Sequence, residues 1–181
     1  MENSVILIGT GGAGTRTIER IKDKIKIHSL AVDNPEIINS VIESSDIVLL
    51  CAGLGGNTGS LVCVDAAKKA KEKEKIVIAL LYEPFSFEGP KRMSMAKEAI
   101  NKIEEVADFS IIISNDKLLN LAPSSMTMVN RFSVVDMLVI RVIEKLCDVV
   151  RDRGNKYLES EEAYKSLIDY YNTLINVSEN S

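Results

Sequence analysis

The chain has 181 residues, 46% hydrophobic and 27% charged, enough for a globular domain with a substantial core. A formal net charge of −4 leaves no basic footprint for nucleic acid or an anionic membrane, and no apolar run approaches the roughly 18 residues of a membrane span. Met1-Glu2-Asn3 opens without a basic signal-peptide region, and Cys51, Cys63 and Cys147, lacking any CxxC spacing, read as buried free thiols of a reducing cytoplasm.

Apolar runs and helical patterns then alternate in chain order. Val5–Ile8 predicts a first strand, followed by Gly9-Thr10-Gly11-Gly12-Ala13-Gly14 and a helix over Gly14–Lys24. His28–Val32 predicts a second strand closing at Asp33. His28, the only histidine, has no acidic or thiol partner nearby in sequence and reads as structural. A helix over Pro35–Glu43 leads to a third strand, Ile47–Cys51, and a second glycine-rich stretch, Gly53-Leu54-Gly55-Gly56-Asn57-Thr58-Gly59-Ser60. The helix Thr58–Lys73 ends in a lysine-rich run, Lys68–Lys75, whose interleaved Glu72 and Glu74 mark a solvated helix end. Strand Ile76–Leu81, helix Pro90–Val106, strand Phe109–Ile113 and a short helix Asn115–Leu119 complete the alternation.

From Ser133 to about Val150 one long helix carries the stripe Val134, Val135, Leu138, Val139, Val142, Ile143, Leu146, Val149 and Val150, the pattern of a core helix. Arg151-Asp152-Arg153-Gly154-Asn155 is expected to break it, with Gly154 as terminator. A last amphipathic helix is expected over about Ser160–Ile175, before a frayed polar tail. The expected fold is α/β: a Rossmann-like parallel sheet with helices on both faces, then a long core helix and a C-terminal helix. Residues 1–150 form the nucleotide-binding domain on this reading, and 151–181 a C-terminal loop, helix and tail.

Both glycine stretches fall at the carboxyl ends of strands, where ligands of such sheets bind. Glycine lets the backbone turn tightly and approach a ligand closely, and the helix beyond it points unpaired N–H groups at an anion. Two such places suggest several phosphates gripped from two sides. Taken alone, the first fits the GxGxxG dinucleotide fingerprint, with Asp33 as the ribose-binding acid, and keeps an NAD-binding module open. That reading leaves Gly55–Ser60 and everything after Tyr82 unexplained.

Three further segments carry a more specific resemblance. Gly55-Gly56-Asn57-Thr58-Gly59-Ser60 resembles a GGGTGTG-type signature. Glu83-Pro84-Phe85-Ser86-Phe87-Glu88-Gly89 is similar to a KPFxFEG segment, and Asn115-Asp116-Lys117-Leu118-Leu119 to an NDxLL segment. Together they resemble the FtsZ/tubulin superfamily of GTP-binding filament proteins, FtsZ more closely, and the pattern runs without a gap from Glu83 to about Glu162.

The resemblance implies a site for GTP or GDP. Backbone N–H groups of Gly11, Gly12, Ala13 and Gly14, and of Gly55, Gly56, Asn57 and Thr58, followed by Gly59, would cradle the phosphates. It further implies Glu88 on the ribose hydroxyls, Arg92 against phosphate charge and Asn115 on the guanine or ribose side. Phe132 would stack on the base and Asp136 accept from guanine's N1 and N2 hydrogens, donors that adenine lacks. Read without the resemblance, Phe132 is core packing and Asp136 a solvated acid.

Three departures stand against the family pattern. Arg16 replaces an asparagine that helps hold the base. Only Asp33–Ser45 separates the second strand from the third, too short for the family's γ-phosphate loop, so no discrimination between GTP and GDP is expected. A strong preference for GTP would point to another sensor, such as Asp33 with a bound Mg²⁺. The sequence ends where FtsZ begins its second domain. The family's catalytic acids lie on a loop that enters the neighbouring subunit's nucleotide pocket. Here Glu159 and Glu162 fall on the two aspartates and Tyr157 on the asparagine, while Ser160-Glu161-Glu162 equally reads as an ordinary helix start.

Three functions therefore remain open. One is a cytoplasmic guanine-nucleotide-binding protein acting through self-association, with at most slow hydrolysis in trans. Another is a non-hydrolysing regulator that docks on an FtsZ-like filament protein. The third is the NAD-binding module. No resident metal, nucleic acid or membrane is expected.

Overall fold

The computed structural model describes residues 4–25, 27–122 and 124–158, and the chain divides into two compact units between Ile113 and Ser114. The first unit alternates strand and helix. Its elements are β1 (Val5–Thr10), α1 (Gly11–Ile21), β2 (His28–Ala31), α2 (Pro35–Glu43), β3 (Ile47–Gly53), α3 (Asn57–Glu72), β4 (Ile76–Glu83), a 3-10 turn (Ser86–Glu88), α4 (Pro90–Glu104) and β5 (Phe109–Ser114). The expected fold class is observed: the strands form one five-stranded, all-parallel sheet in the order β2-β1-β3-β4-β5.

Burial on both faces explains why the inner strands read as unbroken apolar runs. Every residue of β3 from Ile47 to Ala52 is buried, as is β4 from Val77 to Tyr82. Parallel register sets Ile6 beside Val48 and Val48 beside Val77. Ile6, Ile8, Val48, Leu50, Val77 and Ala79 project into one core with residues of α2, α3 and α4. Residues of the other parity meet α1: Ile18 abuts Gly9, and Thr17 reaches the Cys51 thiol. The sheet is thus wound on both faces. At the opposite strand ends, Asp46 accepts from the Ser4 backbone N–H (2.9 Å) and Asp108 from that of Val77 (2.8 Å), which pins where β3 and β4 begin.

Local chemistry sets the helix boundaries. Asn34 caps α2 by accepting from Glu36 N (2.9 Å), with Pro35 in the first turn, where it lacks only an N–H the helix does not use. Gly11 sits at φ +67°, so β1 passes straight into α1. The helix therefore starts at Gly11 and not at the expected Gly14, and the first glycine stretch is a strand end plus a helical turn.

The second unit contains α5 (Asn115–Leu121) and α6 (Met128–Leu158). Ser114 caps α5, and the Arg131 guanidinium ties α6 to α5 by donating to the Leu119 carbonyl at 3.0 Å. Val135, Val139, Val142, Ile143 and Leu146 of the expected stripe are buried. Both ends of α6 are corrected: it starts at Met128, before the expected Ser133, and runs on to Leu158, through the expected break at Arg151–Asn155. A glycine such as Gly154 costs about 1 kcal/mol inside a helix and does not by itself end one. The helix expected over about Ser160–Ile175 lies outside the described residues.

Cys51 and Cys63 are wholly enclosed, and burial pushes both thiols up to about 12, although Cys51 contacts the Tyr82 hydroxyl at 2.7 Å. Only the thiolate is alkylated readily. Iodoacetamide at pH 8 should therefore leave both unmodified in the native protein and label both in urea, with mass-spectrometric mapping as the readout.

Candidate functional site

In a sheet of this order the chain reverses direction between β1 and β3, and the crevice beyond their carboxyl ends is where doubly wound proteins hold ligands. Both glycine stretches open there. They are also pressed together. A Cβ on Gly11 would come 2.7 Å from the Gly59 Cα, and one on Gly59 would come 2.8 Å from the Gly53 carbonyl oxygen. The buried Thr10 hydroxyl donates to the Gly59 carbonyl at 3.1 Å and closes the seam. The start of α1 and the start of α3 thus form one rigid body.

The glycines divide into two groups by what surrounds them. Gly9, Gly11, Gly14, Gly53, Gly55 and Gly59 are each held by protein atoms within 3.0 Å of a would-be Cβ, so packing alone requires them. Gly12 and Gly56 are different. A Cβ on Gly56 would meet nothing within 4 Å, and one on Gly12 only the Arg16 guanidinium at 3.4 Å. Neither has a positive φ. No neighbour and no backbone strain demands glycine at these two positions, which are open ground for a ligand to approach the main chain.

The donors at this crevice suit an anion. Neither α1 nor α3 has a side-chain cap or an acid in its first turn. Within α3 the first intrahelical bond is Ser60 N to Gly56 O, at 3.3 Å. The N–H groups of Asn57 and Thr58, and by the same helix geometry those of Gly12 and Ala13, precede any such bond. Asn57 and Thr58 are exposed, so the Thr58 hydroxyl is accessible too. Two expected donors are committed elsewhere. Gly11 N donates to Asp33 Oδ1 at 2.8 Å, and Gly55 N to Ser60 Oγ at 3.1 Å.

Around this seam the structure gathers Asp33, Glu88 and Arg92. Gly55, at φ +89°, lies so close to the Arg92 backbone that a Cβ would come 2.8 Å from its carbonyl, tying the second glycine stretch to the start of α4. Glu88 accepts from Phe85 N (2.9 Å) through Oε1 and pairs with the Arg92 guanidinium through Oε2. The Phe85 and Phe87 rings stack 5.0 Å apart on the 3-10 turn, with Phe87 exposed.

The other expected residues belong to the second unit. Asn115 is the first residue of α5, while Phe132 and Asp136 stand one turn apart on α6, both half-buried. Glu159 and Glu162 lie outside the described residues. Sequence reasoning did not single out Thr10 and Ser60, whose hydroxyls brace the two glycine stretches. Their only signal was a hydroxyl residue beside glycines at a strand or helix end.

These features define a doubly wound α/β protein with two joined helix N-termini at its switch point, neither carrying an acid in its own first turn. Residues 28–123, more than half of the chain, match the GTPase-domain model of the Tubulin/FtsZ family, and the chain belongs to that family. It is 30% identical over 152 residues to the cell division protein FtsZ of Coxiella burnetii, covering 84% of this chain and 39% of the relative. It is 32% identical over 151 residues to the cell division protein FtsZ 1 of Archaeoglobus fulgidus, covering 82% and 39%. The chain thus spans well under half the length of these relatives. The fold is also that of an empty FtsZ dimer from M. jannaschii (TM-score 0.73, 24% identity, 86% of this chain and 57% of that one). A GDP-bound CetZ1 monomer from Haloferax volcanii is similar as well (TM-score 0.63, 17% identity, 96% and 64%).

The two groups of glycines should separate in a stability test. Gly59→Ala forces backbone apart at the seam and should cost about 1–3 kcal/mol. Gly56→Ser places a favoured cap residue in open space at the α3 N-cap and should match or exceed wild-type stability. Urea denaturation of the two variants checks the order.

Proposed function

We propose that this chain is a guanine-nucleotide-binding domain of the FtsZ/tubulin kind that acts through association, either with itself or with an FtsZ-like filament protein. The observation that carries the reading is the pair of open glycines, Gly12 and Gly56, flanking a seam whose helix starts carry unpaired N–H groups and no acid within their own first turns. A Cβ at either position would fill the space that a phosphate needs. The N–H groups of Gly12, Ala13, Asn57 and Thr58 would hold the phosphate oxygens. Glu88 would accept from ribose hydroxyls and Arg92 would balance phosphate charge. Asn115, Phe132 and Asp136 are assigned to the base by the family pattern, with Asp136 favouring guanine over adenine.

The second glycine stretch and the family match over residues 28–123 count against an NAD-binding module, which would leave both without a role. GTP hydrolysis, if catalysed, would use Glu159 and Glu162 of one subunit on the nucleotide of the next. Those side chains are one methylene longer than the family's aspartates, and about 1 Å of misplacement can cost a hundredfold in rate. A slow rate that rises with protein concentration is the expected result. A regulator that binds nucleotide without turnover is the second reading, and concentration-independent absence of hydrolysis favours it.

In a thermal-shift panel, GTP and GDP should stabilise the protein by about 2.7 kcal/mol at a hundred times the dissociation constant, with NAD and ATP far behind. Gly56→Ser should lose this shift while keeping the stability of the apoprotein. Stabilisation by NAD alone would overturn the reading.

The β2-to-β3 connection consists of α2 and short turns, with no further glycine-bearing loop between Asp33 and Ser45. GTP and GDP should accordingly bind within about tenfold of each other in calorimetry, and ligands of equal affinity for two states cannot switch a protein between them.

A further inference from the structure

Arg16 lies on the exposed side of α1, one turn beyond Gly12. Its Nη1 stands 3.4 Å from the point a Cβ on Gly12 would occupy. Helical side chains lean towards the N-terminus, so the guanidinium folds back over the first turn of α1, where the Gly12 and Ala13 N–H groups have no intrahelical partner. Among the described residues Arg16 makes no hydrogen bond and no ion pair. Arg92, by contrast, is held by Glu88, and Lys102 by Glu98. The carboxylate of Asp33, in the connection after β2, accepts from Gly11 N at the start of this turn. The Arg16 guanidinium and the N–H groups of Gly12 and Ala13 therefore converge on the open space above Gly12.

We propose that Arg16 is a specificity-determining residue that binds the phosphate chain of the nucleotide, its planar fork taking oxygens of the group held by the first glycine turn. This rests on the nucleotide reading above and deepens it. Arg92 shares its charge with Glu88, and Arg16, which has no carboxylate of its own, adds a second cation for the phosphate chain of a nucleoside diphosphate or triphosphate. The site thereby selects for phosphorylated ligands over the bare nucleoside.

The test compares wild type, Arg16→Gln and Arg16→Lys by calorimetry, each titrated with GDP and with guanosine. Wild type should bind GDP far more tightly than guanosine. Arg16→Gln should weaken GDP by about tenfold or more, as expected for loss of a charge-assisted contact, and leave guanosine within about twofold. Arg16→Lys should fall between, because an ammonium keeps the charge and loses the fork. The exposure of Arg16 predicts unchanged unfolding of each apoprotein, which urea denaturation confirms. Unchanged GDP affinity in Arg16→Gln overturns the inference, and so does an equal loss for GDP and guanosine, which would assign Arg16 to the base. If wild type binds neither ligand, the nucleotide reading itself falls.

Discussion

The site depends on a backbone contact that only glycine permits. Gly11 and Gly59 meet so closely that a methyl group on the first would overlap the Cα of the second, and Thr10 locks the contact from inside the core. Two helices from different strands are thereby set side by side with their positive ends together. Their macrodipoles repel one another, and that unfavourable electrostatic energy is relieved when an anion lies between them. The dense core of β1, β3 and β4 supplies the rigidity that keeps the two helix ends from separating.

Contacts between polar groups hold the two glycine stretches in place. Asp33 takes the Gly11 N–H, Ser60 takes the Gly55 N–H, and Glu88 holds Arg92. Each of these contacts fixes one wall of the crevice while leaving the donors of Gly12, Ala13, Asn57 and Thr58 pointing outward. Preorganisation of this kind lowers the ordering cost of binding, because little of the wall has to be immobilised when the ligand arrives.

The sheet and its helices were legible in the sequence because strands buried on both faces leave unbroken runs such as Ile47–Ala52, and α2 carries an explicit Asn-Pro start. The boundaries at the glycine stretches were not. Gly11 at φ +67° lets helix follow strand with no loop, a conformation that composition does not reveal. Gly154 misled in the other direction, since a residue that often ends helices is also tolerated inside one. The motifs marked both glycine stretches but could not tell packing glycines from open ones. That distinction depends on what lies across the seam, some 50 positions away in the chain for Gly11 and Gly59, and local pattern carries no trace of it.

The unbroken course of α6 also sets a distance. Asp136 and Leu158 are 22 residues apart on one helix, about 33 Å at 1.5 Å per residue. The two ends of this stretch are thereby held apart like marks on a ruler, so a molecule no larger than a nucleoside that rests against Asp136 cannot also rest against Leu158 of the same helix.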